Sequence, residues 1–133
     1  MAVRPYPDTV RRYFLDPANV GPLPAVAGAR RCRGEAGSEA AGTWVVLEAA
    51  VRGEVVEQLA FRAYGCPWLI AACSRVTQLL APGPVWQLRG FDPATLSGEL
   101  ALPAEKLGSL LILQDALRNC FRDWDTTQPA AAR

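Results

Sequence analysis

The chain has 133 residues, 50% hydrophobic and 20% charged, which is one ordinary globular domain over 1–133 that buries roughly two-thirds of its unfolded surface. It has no histidine, which excludes Ser-His-Asp triads, Cys-His dyads and every zinc site built on imidazole. Lys and Arg number 14 against 13 Asp and Glu, and the net charge of +1 provides no field to gather nucleic acid or anionic lipid.

Near the N-terminus, Arg4 and Asp8 stand among prolines where a secretory leader needs an apolar run. No stretch approaches the roughly 20 apolar residues of a membrane span, so a cytoplasmic protein without membrane or nucleic-acid partners is expected. Cys32, Cys66, Cys73 and Cys120 form no CxxC pair and read as free thiols.

Pro7-Asp8 opens a short helix through Val10, Tyr13 and Phe14, and Asp16-Pro17 closes it, because the residue before proline disfavours helix. From Asn19 to Gly42, five glycines and two prolines read as loop, with at most a short edge strand near Ala27–Cys32. Thr43–Val51 and the run after it read as two strands joined by a tight turn at Arg52-Gly53. In the second strand Val55, Leu59, Phe61 and Ala63 face inward, with Glu54, Gln58 and Arg62 outward. Tyr64-Gly65-Cys66-Pro67 ends the extended chain, and Pro67 presets a helix to Leu80 with Leu69, Cys73, Val76 and Leu80 on its core stripe. Ala81-Pro82-Gly83-Pro84 stops it, and a short helix capped by Asp92 follows. A final helix starts near Pro103, with Leu107, Leu110, Gln114, Leu117, Phe121 and Trp124 on one stripe, and the tail from about 126 to 133 is expected to fray. Strands followed by helices give an α+β fold, a small antiparallel β-sheet with helices packed on one face.

Cys66 is the leading chemical residue, because a helix N-terminus presents backbone N–H groups and the positive end of its dipole to a thiolate. Cys73 lies about 10 Å further along the helix and reads as core, as does Cys120. Cys32 stands in the loop between Arg31 and Arg33, where cationic neighbours lower a thiol pKa. Arg30, Arg31 and Arg33 read as a solvated run, and Glu48, Glu54, Glu57 and Asp115 are not paired for acid–base work, so an enzyme is not expected.

Phe61-Arg-Ala-Tyr-Gly-Cys66, followed by Ile70-Ala-Ala-Cys-Ser74, resembles the FKTYGC…IASSS segment of the IscU/NifU-type iron–sulfur cluster scaffolds. Tyr13-Phe14 with Pro17, Asn19, Val20 and Gly21 resembles the family's NPRNVG stretch. Leu102-Pro103-Ala104-Glu105-Lys106 resembles its LPPVK chaperone-recognition motif, and Gln114-Asp115-Ala116-Leu117 its EDAI. The resemblance implies an SufE/IscU-like α+β fold, a role in iron–sulfur cluster assembly, and iron or a cluster as the bound group. It also implies a cysteine desulfurase and an Hsp70-type chaperone as partners.

The departures from the family's pattern fall on its ligands. Ala41 and Thr43 stand where the family's ACGD has cysteine and aspartate, and Gly108 and Ser109 where KIHCS has histidine and cysteine. Cys66 alone of those ligands remains, with Cys32 and Ser109 as further candidates and a homodimer in which each chain offers Cys66 and Cys32. The expected function is a divergent scaffold that binds or passes on iron or cluster through Cys66. The alternatives are a SufE-like sulfur acceptor from a cysteine desulfurase, and an adaptor that keeps only partner surfaces.

Overall fold

The structure, a computed structural model, describes residues 7–126. Its α+β architecture is the one expected: an antiparallel sheet in the order β1-β2-β3-β4, with the long helices on one face. The strands are β1 (Arg30–Ser38), β2 (Thr43–Arg52), β3 (Val55–Tyr64) and the two-residue β4 (Gly83–Pro84). The helices are α1 (Asp8–Leu15), α2 (Pro67–Leu80), α3 (Gln87–Gly90), α4 (Leu96–Glu99) and α5 (Leu107–Thr126). The fraying expected of the tail concerns residues that lie, beyond Thr126, outside the described ones.

The main correction to the sequence reading is β1, nine residues of strand where loop with at most a short edge strand near Ala27–Cys32 was expected. Its glycines are tertiary contacts rather than local breakers. A Cβ on Gly34 would lie 2.2 Å from both the Ala116 carbonyl oxygen and the Cys120 nitrogen, and one on Gly37 would lie 2.2 Å from the Thr43 carbonyl oxygen. The glycines therefore let α5 and β2 press onto β1, a cause that composition does not reveal.

The β2–β3 turn is Gly53-Glu54, one residue later than expected, with Gly53 at φ 62° as the first position of such a tight turn favours. Ala50 pairs with Gln58 but Val51 with Val56, which leaves Glu57 as a bulge. The bulge inverts the alternation before it, so Val56 is buried and Val55, expected inward, is 46% exposed. Past the bulge Leu59 and Phe61 face the core as expected.

Pro67 is the first residue of α2, and Leu69, Cys73, Val76 and Leu80 are all buried. The Asp92 carboxylate accepts from the Ala94 N–H at 3.0 Å and caps the 3-10 turn Pro93–Thr95 that leads into α4. Helix α5 runs antiparallel to β1: Asp123 Oδ2 accepts from the Arg33 N–H at 2.8 Å, Cys120 lies on Gly34, and Ile112 reaches Gly37. Its buried face is Leu110, Leu113, Ala116, Leu117, Cys120 and Trp124. Leu107, expected on that face, is 42% exposed, because Ile112 already covers the penultimate residue of β1 and the turn before it projects beyond the sheet.

The segment between α1 and β1 ties α2 to β3. The Ala18 N–H donates to Ser74 Oγ at 2.7 Å, and Asn19 Nδ2 to Thr77 Oγ1 at 2.9 Å. The Asn19 carbonyl accepts from the Phe61 N–H at 3.0 Å. Leu23 then packs with Ala50 and Ala60 on the sheet face away from the long helices.

Candidate functional site

Cys66 caps α2 in extended conformation, φ −78° and ψ 167°, and is half-buried. Its carbonyl accepts from the N–H groups of Leu69 at 3.0 Å and Ile70 at 3.2 Å, while its thiol makes no capping bond. A Cβ on Gly65 would meet Leu69 Cδ2 at 2.6 Å, so a larger residue there would require the Leu69 side chain to turn aside.

The sheet register decides what lies beside that thiol. Trp44 pairs with Tyr64 and Thr43 with Ser38, so the start of β2, the end of β1 and the β3–α2 junction share one end of the sheet. Thr43 has the same parity as the buried Val45 and Leu47, which places it on the helix-covered face. Ile112 lies over Gly37, and Ser109 is one helical turn nearer that end. The fold thus brings Ala41, Thr43, Cys66, Gly108 and Ser109 to one end of the molecule.

What gathers there is a single thiol. Ala41 and Gly108 are exposed, and Thr43 and Ser109 are half-buried with neutral side chains. Among the described residues no three His, Cys, Asp or Glu side chains form a metal-holding group.

Cys32, expected in a flexible loop, is a core residue of β1 and wholly buried. Arg31 and Arg33 alternate with it and face the other way, so they do not activate it. Burial first, and the Asp123 carboxylate second, push its thiol up to about 11, against the weaker pull of Arg30. It pairs with Ala49, which pairs with Leu59, about 20 Å of strand before Cys66. A core thiol at that remove does not swing in to share a ligand set. Cys73 and Cys120 are buried as expected, and burial raises both thiols.

The arginine run is absorbed by the surface. Arg31 donates to the Leu23 carbonyl at 2.9 Å and faces Glu48 at 3.5 Å, and Arg33 pairs with Glu35 at 3.0 Å. The Leu102–Lys106 segment is a surface turn leading into α5: Leu102 leans on the core, Ala104 and Glu105 are exposed, and the Lys106 N–H closes on the Pro103 carbonyl at 2.9 Å. The sequence reading missed an apolar surface near this end: Tyr64 (51% exposed), Leu107 and Leu111 (60%). Leu107 and Leu111 border a groove of about 280 Å³ with Pro93, Ala94 and Leu110. Leu111 carried the one available signal, an apolar side chain off the buried stripe of its helix.

Residues 5–131 match the NifU-like N terminal domain. The chain belongs to that family. It is 28% identical over 120 residues to the iron-sulfur cluster assembly scaffold protein IscU of Azotobacter vinelandii, covering 90% of this chain and 93% of that protein. It is also 28% identical to the mitochondrial iron sulfur cluster assembly protein 1 of Kluyveromyces lactis, covering 96% of this chain and 72% of that protein. The crystal structure of a nitrogen-fixing NifU-like protein (N-terminal) from Brucella abortus shares the fold with a TM-score of 0.67 at 16% identity, covering 92% and 95% of the two chains. The family expected from the YGC junction and the LPxxK segment is therefore the one found. Within the NifU-like fold, among the described residues, no helix is long and apolar enough to cross a membrane.

Proposed function

We propose that this NifU-like chain serves iron–sulfur cluster assembly as a divergent scaffold-type protein that handles and passes on its cargo through Cys66. The observation that carries the reading is Cys66 itself, half-buried at the β3–α2 junction, at the end of the fold where the other family ligand positions converge. Its relatives with the same domain are named as cluster assembly proteins.

The residues at those positions do not fit a cluster held by one chain. Clusters are fixed by about four thiolates or their equivalents, and here Ala41, Thr43, Gly108 and Ser109 leave only one thiol. The proposed role is therefore transient: Cys66 contributes one ligand, and the other ligands come from a second molecule, either a second copy or a recipient protein. The same proposal includes a cysteine desulfurase as sulfur source, an Hsp70-type chaperone at Leu102–Lys106, a cytoplasmic location and stoichiometric carriage without turnover.

A second reading is sulfur acceptance from a desulfurase by thiol exchange. It is favoured by the division of the thiols: Cys66 is half-buried, whereas Cys32, Cys73 and Cys120 are inaccessible. Anaerobic reconstitution with iron and sulfide, followed by desalting and metal and sulfide analysis, tests the first reading. Colour and bound iron that depend on Cys66 and survive Cys32→Ala support it. Wild-type protein that stays colourless alone and also fails to speed cluster delivery to an apo recipient protein refutes it.

A further inference from the structure

We propose that the open stretch of the β3 edge at Leu59 is a binding site for a neutral amide ligand, a single extended residue flanked by its two peptide groups. The site lies about 20 Å of strand from Cys66 and is independent of the cargo reading.

Register sets which main-chain groups face that edge. In an antiparallel ladder a residue turns both its N–H and its C=O toward one neighbouring strand or away from it, and successive residues alternate. Phe61 turns both away from β2, its N–H to the Asn19 carbonyl and its carbonyl to the Gly21 N–H, each at 3.0 Å. Leu59, two residues back in the same unbroken register, does likewise. The opposite edge of the sheet gives the same parity: Arg33 and Glu35 turn outward to Asp123 and Asn119, while Cys32 pairs with Ala49, the partner of Leu59. On the β3 edge, β4 pairs with Val55 and Val56, and Asn19–Gly21 bonds at Phe61, so among the described residues nothing meets the N–H and C=O of Leu59.

Leu59 is only 2% exposed, and a buried main-chain donor and acceptor that both lack partners are rare in a folded protein. It lines a cavity of about 320 Å³ shared by β3, the segment from Asn19 to Pro24 and the end of α2, within the range of roughly 300–1,000 Å³ typical of ligand pockets. Glu57 is the one charged residue of that lining, and Arg52 pairs with it at 2.9 Å, so no free charge selects an ion. Asn19 and Thr77 satisfy each other, Nδ2 to Oγ1 at 2.9 Å, and Pro22, Leu23, Pro24 and Ala60 supply apolar wall. An extended residue carries its N–H and C=O on one edge and therefore returns both bonds to Leu59 at once. The two ends of the gap limit its length. Only residues 57–60 stay open between the β4 pair at Val56 and the bonds at Phe61, below the roughly 5–6 residues of a usual strand.

The test titrates isotopically labelled wild-type protein with N-acetyl-alanine methylamide and follows the Leu59 N–H resonance. A saturable shift, largest at Leu59, is expected with a Kd of about 5 mM for a ligand of this size. N-acetyl-N-methylalanine methylamide has the same frame without the donor to the Leu59 carbonyl, and should bind about tenfold more weakly. Val20→Trp, at an exposed residue that lines the cavity, should weaken the first ligand by a similar factor without moving Tm. The comparison of the two ligands is made on wild type and decides the matter even if that variant folds poorly. A Leu59 resonance that does not move up to about 50 mM ligand, or equal shifts with both ligands, overturns the site and leaves the edge to water. A blocked tri-alanine that binds more than about tenfold tighter than the single residue overturns the single-residue limit and makes the gap a place of strand addition.

Discussion

Gly34→Ala is the sharpest test of how α5 is seated on the sheet. The added methyl would lie 2.2 Å from the Ala116 oxygen and the Cys120 nitrogen and 2.7 Å from Cys120 Cα, all of them backbone atoms that cannot rotate aside. Ordinary contact begins near 3.4 Å, so the helix must retreat by about 1 Å there. The retreat loosens the layer formed by Leu113, Leu117 and Cys120, and strains the bonds from Asp123 to the Arg33 N–H and from Asn119 to the Glu35 carbonyl. Overpacking costs about 1–3 kcal/mol, and with two backbones in conflict we expect the upper end, about 3 kcal/mol. At roughly 2.1 cal/mol/K per residue that lowers Tm by about 10 °C in a chain of this length. Gly108→Ala is the counterpart, since nothing lies within 4 Å of its added methyl and it sits in the first turn of α5. It should raise stability by about 0.5 kcal/mol. Thermal unfolding followed by circular dichroism measures both, and a Gly34→Ala loss below about 2 °C would refute the close-approach argument.

The buried thiols make the fold sensitive to alkali. Cys32 titrates at about 11 in the fold against an ordinary 9.0, so its contribution is complete below pH 9 and is lost as pH rises toward 11, by up to about 1.4 kcal/mol per pH unit. Tm measured across that window should fall less steeply in Cys32→Ala; an unchanged slope would dismiss Cys32 as a source. Restoring the family's donors with Ala41→Cys, Thr43→Asp and Ser109→Cys should create a one-to-one Zn(II) site beside Cys66, since three thiolates and a carboxylate satisfy its tetrahedral preference. Zinc content no higher than wild type after desalting would show that these positions do not converge closely enough. Thr77→Val removes the acceptor of the Asn19 amide and the donor to the Ser74 carbonyl, and should cost about 1–2 kcal/mol in urea unfolding. A loss under about 0.3 kcal/mol would make that staple decorative.

The legible parts of the fold were those written in local chemistry. Proline at the start of α2, the Asp92 cap and the 3-4 stripe of α2 were all readable, because each depends on residues within a turn or two of one another. Strand β1 was not, because Gly34 and Gly37 look like breakers until α5, which begins 70 residues after Gly37, is laid across them. The same distance in sequence hid the fate of Cys32: its arginine neighbours are adjacent in the chain but on the opposite face once β1 forms. The Glu57 bulge reversed Val55 for a related reason, since a one-residue insertion in register leaves no mark on composition. At the site, Cys66 was legible from the turn that precedes it. The apolar rim of Tyr64, Leu107 and Leu111 was not, because exposure depends on where the sheet ends beneath α5.

The way the sheet edges are closed limits how a partner meets Cys66. On β1 the outward Arg33 N–H is taken by Asp123 and the Glu35 carbonyl by the Asn119 amide, so α5 occupies the strand's hydrogen-bonding edge. On β3 the edge is shared between β4, paired at Val55 and Val56, and Asn19–Gly21, bonded at Phe61. Among the described residues, strand addition therefore has no long free edge to extend. At the Cys66 end Tyr64 is half-exposed, and in the first turns of α5 Leu107 and Leu111 border an apolar groove with Pro93, Ala94 and Leu110. Association by side-chain contact at that end would lay a partner directly over the one accessible thiol. Under the proposed role, binding a partner and completing a ligand shell around Cys66 would then be a single event.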